Sequence, residues 1–239
     1  MPGRVAFVCA MPMELTPLRK KLALVKTRVG SLDVHTGSLA GRPIVAVVTG
    51  MGTELATVGL ERLLEAMEVE RVVVVGITGA VDDQTAIGTL ILPEVVVHSG
   101  TGAEYRPDRI GPGVPEGRMW TTDQLIVDLD DIARLRSGGV VALDMETAAL
   151  AAVCERRDIP WSVFRAISDR ATDGSVDEEV FRLSNQDGTP NAKAVAAYVL
   201  RHPGRLPGMA RMAKHAKLAT EQAADAAIDA VSRQSATDP

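Results

Sequence analysis

Apolar residues in this chain come in short continuous runs, separated by stretches with helical spacing. Residues 4–10 (RVAFVCA) form a run rich in β-branched side chains, which reads as a buried strand. Over residues 13–24, Leu15, Leu18 and Leu22 recur at helical spacing beside Arg19, Lys20 and Lys21. That predicts an amphipathic helix, with Pro12 and Pro17 better suited to its first turn than to its interior. Residues 32–38 and 43–49 read as a hairpin about Ala40-Gly41-Arg42. Gly50-Met51-Gly52 follows, and then a helix over about residues 53–67 with Leu55, Val58, Leu60, Leu63 and Leu64 inward. Residues 71–75 (RVVVV) show no alternation, as expected of a central parallel strand covered on both faces, and run into Gly76-Ile77-Thr78-Gly79-Ala80.

Residues 89–98 read as a strand interrupted at Pro93. Residues 99–120, dense in Gly, Pro, Arg and Asp, read as one long loop, and loops of that length inside compact domains are usually functional or mobile. A short strand over 140–143, an Ala-rich helix over 146–156 and a last strand over 161–167 come next, the last running into Ser168-Asp169. Helices are expected over 175–183, where Ser175 and Glu178 make a capping-box signature, over 191–200, and over the Ala-rich 205–231 as one helix or a pair. The alternation predicts an α/β domain over residues 1–200, its central twisted sheet mixed, largely parallel and flanked by helices. Residues 201–231 read as an added helical extension whose cationic residues form a solvated face, and 232–239 as a frayed tail.

Composition works mainly by exclusion. Two Trp, two Tyr and three Phe in 239 residues leave the core to Ala, Val, Leu, Ile and Met. A net charge of −5 argues against a nucleic-acid binder. Cys9 and Cys154 form no CxxC and lie in apolar surroundings, so they read as core residues and no structural zinc is expected. No run reaches the ~18 apolar residues of a membrane span, and the first apolar run is too short for a signal peptide, which makes the cytoplasm the expected compartment. No metal and no organic cofactor are implied.

Ligands of open α/β sheets bind beyond the carboxyl ends of the strands, so candidate chemistry is sought there. Three such ends carry carboxylates: Glu14 after the first strand, Asp144-Met145-Glu146 after the strand near residue 140, and Asp169 after Arg165-Ala166-Ile167-Ser168. Two others carry the glycine turns at 50–52 and 76–79. Each alone has an ordinary explanation; Glu14, for instance, suits a helix start, where it complements the dipole. Gly50-Met51-Gly52 is not a dinucleotide fingerprint, because Leu55 holds the third glycine position, and the chain has neither a Walker motif nor a Gly-x-Ser-x-Gly elbow. Together they describe acid–base work on a small polar molecule, with one carboxyl group serving an attacking water and another a leaving group.

In order along residues 4–200, the stretches Ala10-Met11-Pro12-Met13-Glu14, Leu18-Arg19, Thr36-Gly37, Gly50-Met51-Gly52, Gly76-Ile77-Thr78-Gly79, Asp144-Met145-Glu146-Thr147 and Arg165-Ala166-Ile167-Ser168-Asp169 resemble the purine nucleoside phosphorylase and nucleosidase superfamily. The branch they resemble most is that of the 5′-methylthioadenosine/S-adenosylhomocysteine nucleosidases. The resemblance implies hydrolysis of the N-glycosidic bond of a 5′-modified purine nucleoside, in a homodimer or higher homo-oligomer. It implies that Glu14 holds the water, with Arg165 beside it, that Met145 and Glu146 grip the ribose, and that Asp169, next to Ser168, donates to N7 of the base. Ile77, Thr78 and Gly79 would lie beside ribose and base, and Leu125 and Ile126 against the purine.

The chain departs from that pattern in four places. Leu125 stands where the branch has a stacking Phe, Ile77-Thr78-Gly79-Ala80 replaces Ser-Ala-Gly-Gly, the 99–120 segment is shorter and different in composition, and the basic Ala-rich segment after Arg201 is expected to have no counterpart in the compact members of the branch. Two other functions stay open from the sequence. One is phosphate-dependent phosphorolysis with Arg19 and Arg165 as the anion site; the other is nucleoside binding on a retired enzyme scaffold.

Overall fold

The computed structural model describes residues 3–172 and 191–237, with Glu179, Leu183, Asn185, Asp187, Gly188 and Thr189 between them. The helix expected from Ser175, with its Ser175/Glu178 capping box, lies outside the described residues. Among those residues the elements run β1 (Val5–Cys9), α1 (Pro12–Lys21), β2 (Val25–Val29), β3 (Leu32–Leu39), β4 (Arg42–Val48), α2 (Thr53–Ala66), β5 (Arg71–Ala80), β6 (Leu90–Ile91), β7 (Val95–His98), β8 (Glu104–Tyr105), β9 (Arg118–Thr121), α3 (Leu129–Ser137), β10 (Val140–Asp144), α4 (Thr147–Arg156), β11 (Trp161–Arg170), α5 (Ala192–Arg201) and α6 (Leu206–Thr237).

The strands form one mixed sheet in the order β2-β3-β4-β1-β5-β10-β9-β7-β8, with β11 lying along β5 and β6 against β11. Its centre is parallel: β1 pairs in that sense with β4 and β5, and β5 with β11. Side chains of the central strands alternate between two cores, as a period of two requires. Ala6, Val8, Val72 and Val74 face α2 and α4, which supply Leu60, Leu63, Leu150 and Val153. Val5, Phe7, Val73 and Val75 face α1 and α6, which supply Leu15, Leu18, Ala219, Ala223, Ala227 and Val231. The run of valines is therefore buried on both faces.

Several readings change. Residues 76–80 continue β5 as strand, β11 runs on through Ser168 and Asp169 to Arg170, and Pro17 lies inside α1, not in its first turn. The terminal segment is no appendage: α6 is one helix to Thr237, and it packs against β11, β5 and α1. Its buried alanines keep the side-chain layer thin, so helix and sheet approach closely. The 99–120 segment contains β8 and most of β9; Met119 and Thr121 are buried in an alternation that the surrounding glycines and prolines obscure. Strand β2 has no apolar run to mark it, because four of its five residues are exposed, as suits a sheet edge. Helix α3 is a further element absent from the expected order; Asp128 caps it, accepting from Asp130 N and Asp131 N, and Arg134 and Arg136 close its last turn. In α2 the buried face is Ala56, Leu60 and Leu63, and Val58 is exposed.

Candidate active site

Strand ends converge on a cavity of about 300 Å³. Its walls contain Met11, Met13 and Glu14 after β1, Met51 after β4, Ile77, Thr78 and Gly79 of β5, and Thr122, Gln124, Leu125 and Ile126 after β9. Leu143 and Asp144 of β10 join them, with Met145 and Glu146 beyond it. Arg165, Ser168, Asp169 and Arg170 of β11 with Ala171, and Met212 and Ala216 of α6, complete the lining. All eleven residues expected at the site from the sequence are there. Asp144, Arg170 and the methionines at 11, 13, 51 and 212 were not assigned to it. Asp144 had a usable signal, since it ends a strand beside Glu146. Met212 had none, because only the packing of α6 brings it to the site.

Glu14 begins as a local helix-start residue. Its Oε2 accepts from Ala10 N at 2.8 Å and Met11 N at 2.9 Å, while Oε1 accepts from Ile77 N at 2.8 Å. One carboxylate thereby caps α1 and ties it to β5. Gly76 makes this approach possible: a Cβ there would lie 2.1 Å from Glu14 Oε1. Burial raises the Glu14 pKa, against the pull of Arg165 and the three N–H groups.

Arg165, 2% exposed, is the hub. Nη1 donates to Ile77 O at 3.0 Å and Glu14 Oε1 at 3.4 Å. Nη2 donates to Asp144 Oδ2 at 2.9 Å and Glu146 Oε2 at 3.1 Å. Burial disfavours its charge, but Asp144, Glu14 and Glu146 outweigh that and hold it firmly protonated. Asp144 also accepts from Thr121 Oγ1 at 2.5 Å, from Thr147 N at 2.9 Å and from the Thr147 hydroxyl, so it starts α4 and orients Arg165 together. Glu146 Oε1 accepts from Gly52 N at 3.0 Å. Burial lifts the Glu146 pKa to about 7; Arg165 and Gly52 N–H oppose the rise, and Asp144 and Glu14 add to it.

Asp169 lies four residues beyond Arg165 along β11, roughly 13 Å at the rise of a strand. The pairing of β11 with β5 shifts between Ile167 and Asp169, a bulge of the kind that re-aims a side chain beside a site. Ser168 Oγ lies 2.5 Å from Asp169 Oδ1. Thr78 Oγ1 donates to Leu143 O at 2.6 Å, joining β5 to β10 across the cavity floor. Cys9 and Cys154 are buried, and burial pushes both thiols up, Cys154 to about 12. Among the described residues no group of three or more His, Cys, Asp or Glu is placed to hold a metal ion, and no helix is long and apolar enough to cross a membrane.

The Glu146 environment has a consequence for stability. A buried carboxyl group with a raised pKa holds a proton that the unfolded chain releases, so stability falls as pH climbs from about 4.5 to about 7 and levels off above. Glu146→Gln is expected to remove this component, up to about 3 kcal/mol across the window. Urea unfolding of both proteins at pH 5 and 7.5 checks it; equal pH dependence would contradict the assignment.

The chain matches the model of the Phosphorylase superfamily over residues 4–115 and 102–201. A 5′-methylthioadenosine/S-adenosylhomocysteine nucleosidase of Tolumonas auensis is 24% identical over 229 residues, covering 83% of this chain and 99% of the relative. The nucleosidase of that name from Neisseria meningitidis, in complex with methylthio-immucillin-A, superposes with a TM-score of 0.74 at 18% identity, over 97% of this chain and 99% of the other. The futalosine hydrolase of Helicobacter pylori superposes at 0.73 and 16% identity, over 97% and 98%. The likeness in fold thus extends over α6, beyond the residues of the family match. Because that match runs from β1 through α5, with every strand end of the cavity inside it, this chain belongs to the Phosphorylase superfamily.

Proposed function

We propose that this chain hydrolyses the N-glycosidic bond of a purine nucleoside with a modified 5′ position, of the 5′-methylthioadenosine or S-adenosylhomocysteine type, releasing the free base and a ribose derivative. Breaking that bond builds positive charge on the sugar and negative charge on the base. Glu14, beside Arg165, holds the attacking water. Glu146 accepts hydrogen bonds from the ribose hydroxyls beside Met145 and offsets the sugar's charge. Asp169, held by Ser168, gives its proton to N7. Ile77, Thr78 and Gly79 line the sugar and base, while Leu125 and Ile126 supply an apolar contact to the purine without aromatic stacking.

The observation that carries hydrolysis over phosphorolysis is the state of Arg165. Its guanidinium already faces Glu14, Asp144 and Glu146 within 3.4 Å. A phosphate there would meet three carboxylates before one shared cation. Arg19, the other arginine of a phosphate reading, is exposed and not among the cavity residues. Arg170 lies beyond Asp169 and donates Nε to Thr85 O at 2.9 Å.

The same proposal makes the protein a cytoplasmic homo-oligomer. The exposed Val114, Val127, Leu129 and Leu200 supply apolar surface for an interface, and the free thiols suit a reducing compartment.

Base release from 5′-methylthioadenosine, S-adenosylhomocysteine, adenosine and inosine, with and without phosphate, tests the reading; a strict phosphate requirement would overturn it. Glu14→Gln keeps one oxygen for the Ala10 and Met11 N–H groups but loses the acceptor that faces Ile77 N and the base for water. Hydrolysis should fall by at least ~10²-fold while calorimetry still detects nucleoside. Normal turnover would mean that water is held elsewhere.

A further inference from the structure

Helix α2 begins without a cap of its own. Gly52, at φ +92°, occupies the N-cap position and has no side chain to fold over the first N–H groups. Two carboxylates from other parts of the chain serve instead. Glu146 Oε1 accepts from Gly52 N at 3.0 Å; Asp123 accepts from Thr53 N through Oδ1 at 2.8 Å and from Thr53 Oγ1 through Oδ2 at 2.6 Å. Asp123 sits on a segment that is itself anchored, since Thr122 N donates to Asp144 O at 2.9 Å. The 50–52 turn is thus pinned from two sides, by the loop that carries Leu125 and Ile126 and by Glu146 itself.

We infer that Asp123 is a positioning residue for Glu146: by holding Thr53 it fixes the Gly52 N–H against Oε1, and so sets the direction in which Oε2 and the free edge of Glu146 face the ribose. This role rests on the nucleosidase reading, in which Glu146 grips the sugar. Arg165 of β11, Asp144 of β10 and Glu14 of α1 also face Glu146, but none of them comes from α2. The Gly52 N–H acts from α2, and Asp123 controls it. Without Asp123 the turn loses a two-point anchor, Gly52 N–H drifts, and Glu146 follows Arg165 alone.

Hydrolysis of 5′-methylthioadenosine by Asp123→Ala, Asp123→Asn and Glu146→Gln, each against the parent protein and with Tm followed, tests this. Asp123→Ala is expected to lose about ten- to a hundred-fold in kcat/KM, the scale of a misplaced contact. The acid limb of kcat/KM, which Glu146 places near pH 7, is expected to move up by about half a unit, because a lost N–H donor leaves the carboxylate less favoured. Asp123→Asn should recover most of the activity, since Oδ1 still accepts from Thr53 N. Should Asp123→Ala fail to fold, Thr53→Ala, which removes only the hydroxyl contact, is expected to shift kcat/KM and the limb in the same direction by less. A lowered Tm with unchanged kcat/KM and limb would make Asp123 a helix cap only, and overturn the proposal. Activity lost in Glu146→Gln but normal in both Asp123 variants also overturns it while leaving the reaction assignment intact. No hydrolysis by the parent, or full hydrolysis by Glu146→Gln, sinks the underlying reading and this role with it.

Discussion

Replacing Arg165 by leucine is expected to destabilise the protein by about 3–5 kcal/mol, the cost of removing one partner from a buried ion cluster. Arg165 and Glu14 are 2% and 1% exposed, and Asp144 and Glu146 are buried with them. With the guanidinium gone, three carboxylates share one pocket without a cation. Domains are typically stable by only ~5–15 kcal/mol, so the variant should unfold at far lower urea, if it accumulates at all. Lysine is a poor substitute, because one ammonium cannot reach Ile77 O and all three carboxylates as the planar fork does. The deficit should shrink on going from pH 8 to pH 5. Glu14 and Glu146, whose carboxyl groups are already raised by burial, take up protons in the folded state before they do so in the unfolded chain. Urea titrations at both pH values measure this. A loss below about 1 kcal/mol would show that the cluster does not depend on its cation.

Asp169→Asn is expected to give the largest loss of turnover, about 10²–10⁴-fold in kcat, with little change in substrate affinity. The amide fills the same space, and Ser168 Oγ, 2.5 Å from Oδ1 in the parent, can still hold it. It can also still donate a hydrogen bond to N7. What it lacks is a proton that it can give up as the base departs. Binding should therefore persist while chemistry stops, which steady-state kinetics and equilibrium titration with 5′-methylthioadenosine separate. A variant with near-parental kcat would remove Asp169 from the role of acid.

The two variants draw on different layers of the molecule, and these layers were legible in the sequence to different degrees. Asp169 is visible as a strand-end residue because residues 161–167 are plainly a strand and the next two positions must emerge at its carboxyl end. The same reasoning reaches Glu14 and Glu146, and it reaches residues 76–79 although these continue β5 as strand and do not turn. It does not reach the Arg165 network. The ion pair from Arg165 to Glu14 spans 151 positions, and nothing local in either stretch announces it. Asp123 is another such case: locally it belongs to a polar loop, and its partner Thr53 lies 70 positions away.

The secondary structure divides in the same way. Strand β9 and helix α3 carry their own signals, Met119 and Thr121 in alternation and Asp128 before Asp130 and Asp131, but both are short and lie among turn-forming residues. The terminal helix was visible as a helix and not as part of the core. Its alanines are unremarkable until the sheet lies against Ala219, Ala223 and Ala227.

By itself, then, the order of residues determined the alternation of strands and helices, the central valine strand and the placement of three carboxyl groups at strand ends, because these follow from periodicity and adjacency over a few positions. The tertiary structure alone decided that Arg165 is shared among Glu14, Asp144 and Glu146, that Gly76 admits Glu14 to β5, and that α6 brings Met212 to the cavity. Those properties arise from burial and from contacts between distant segments, and a charge acquires its pKa and its partners only once the chain has closed around it.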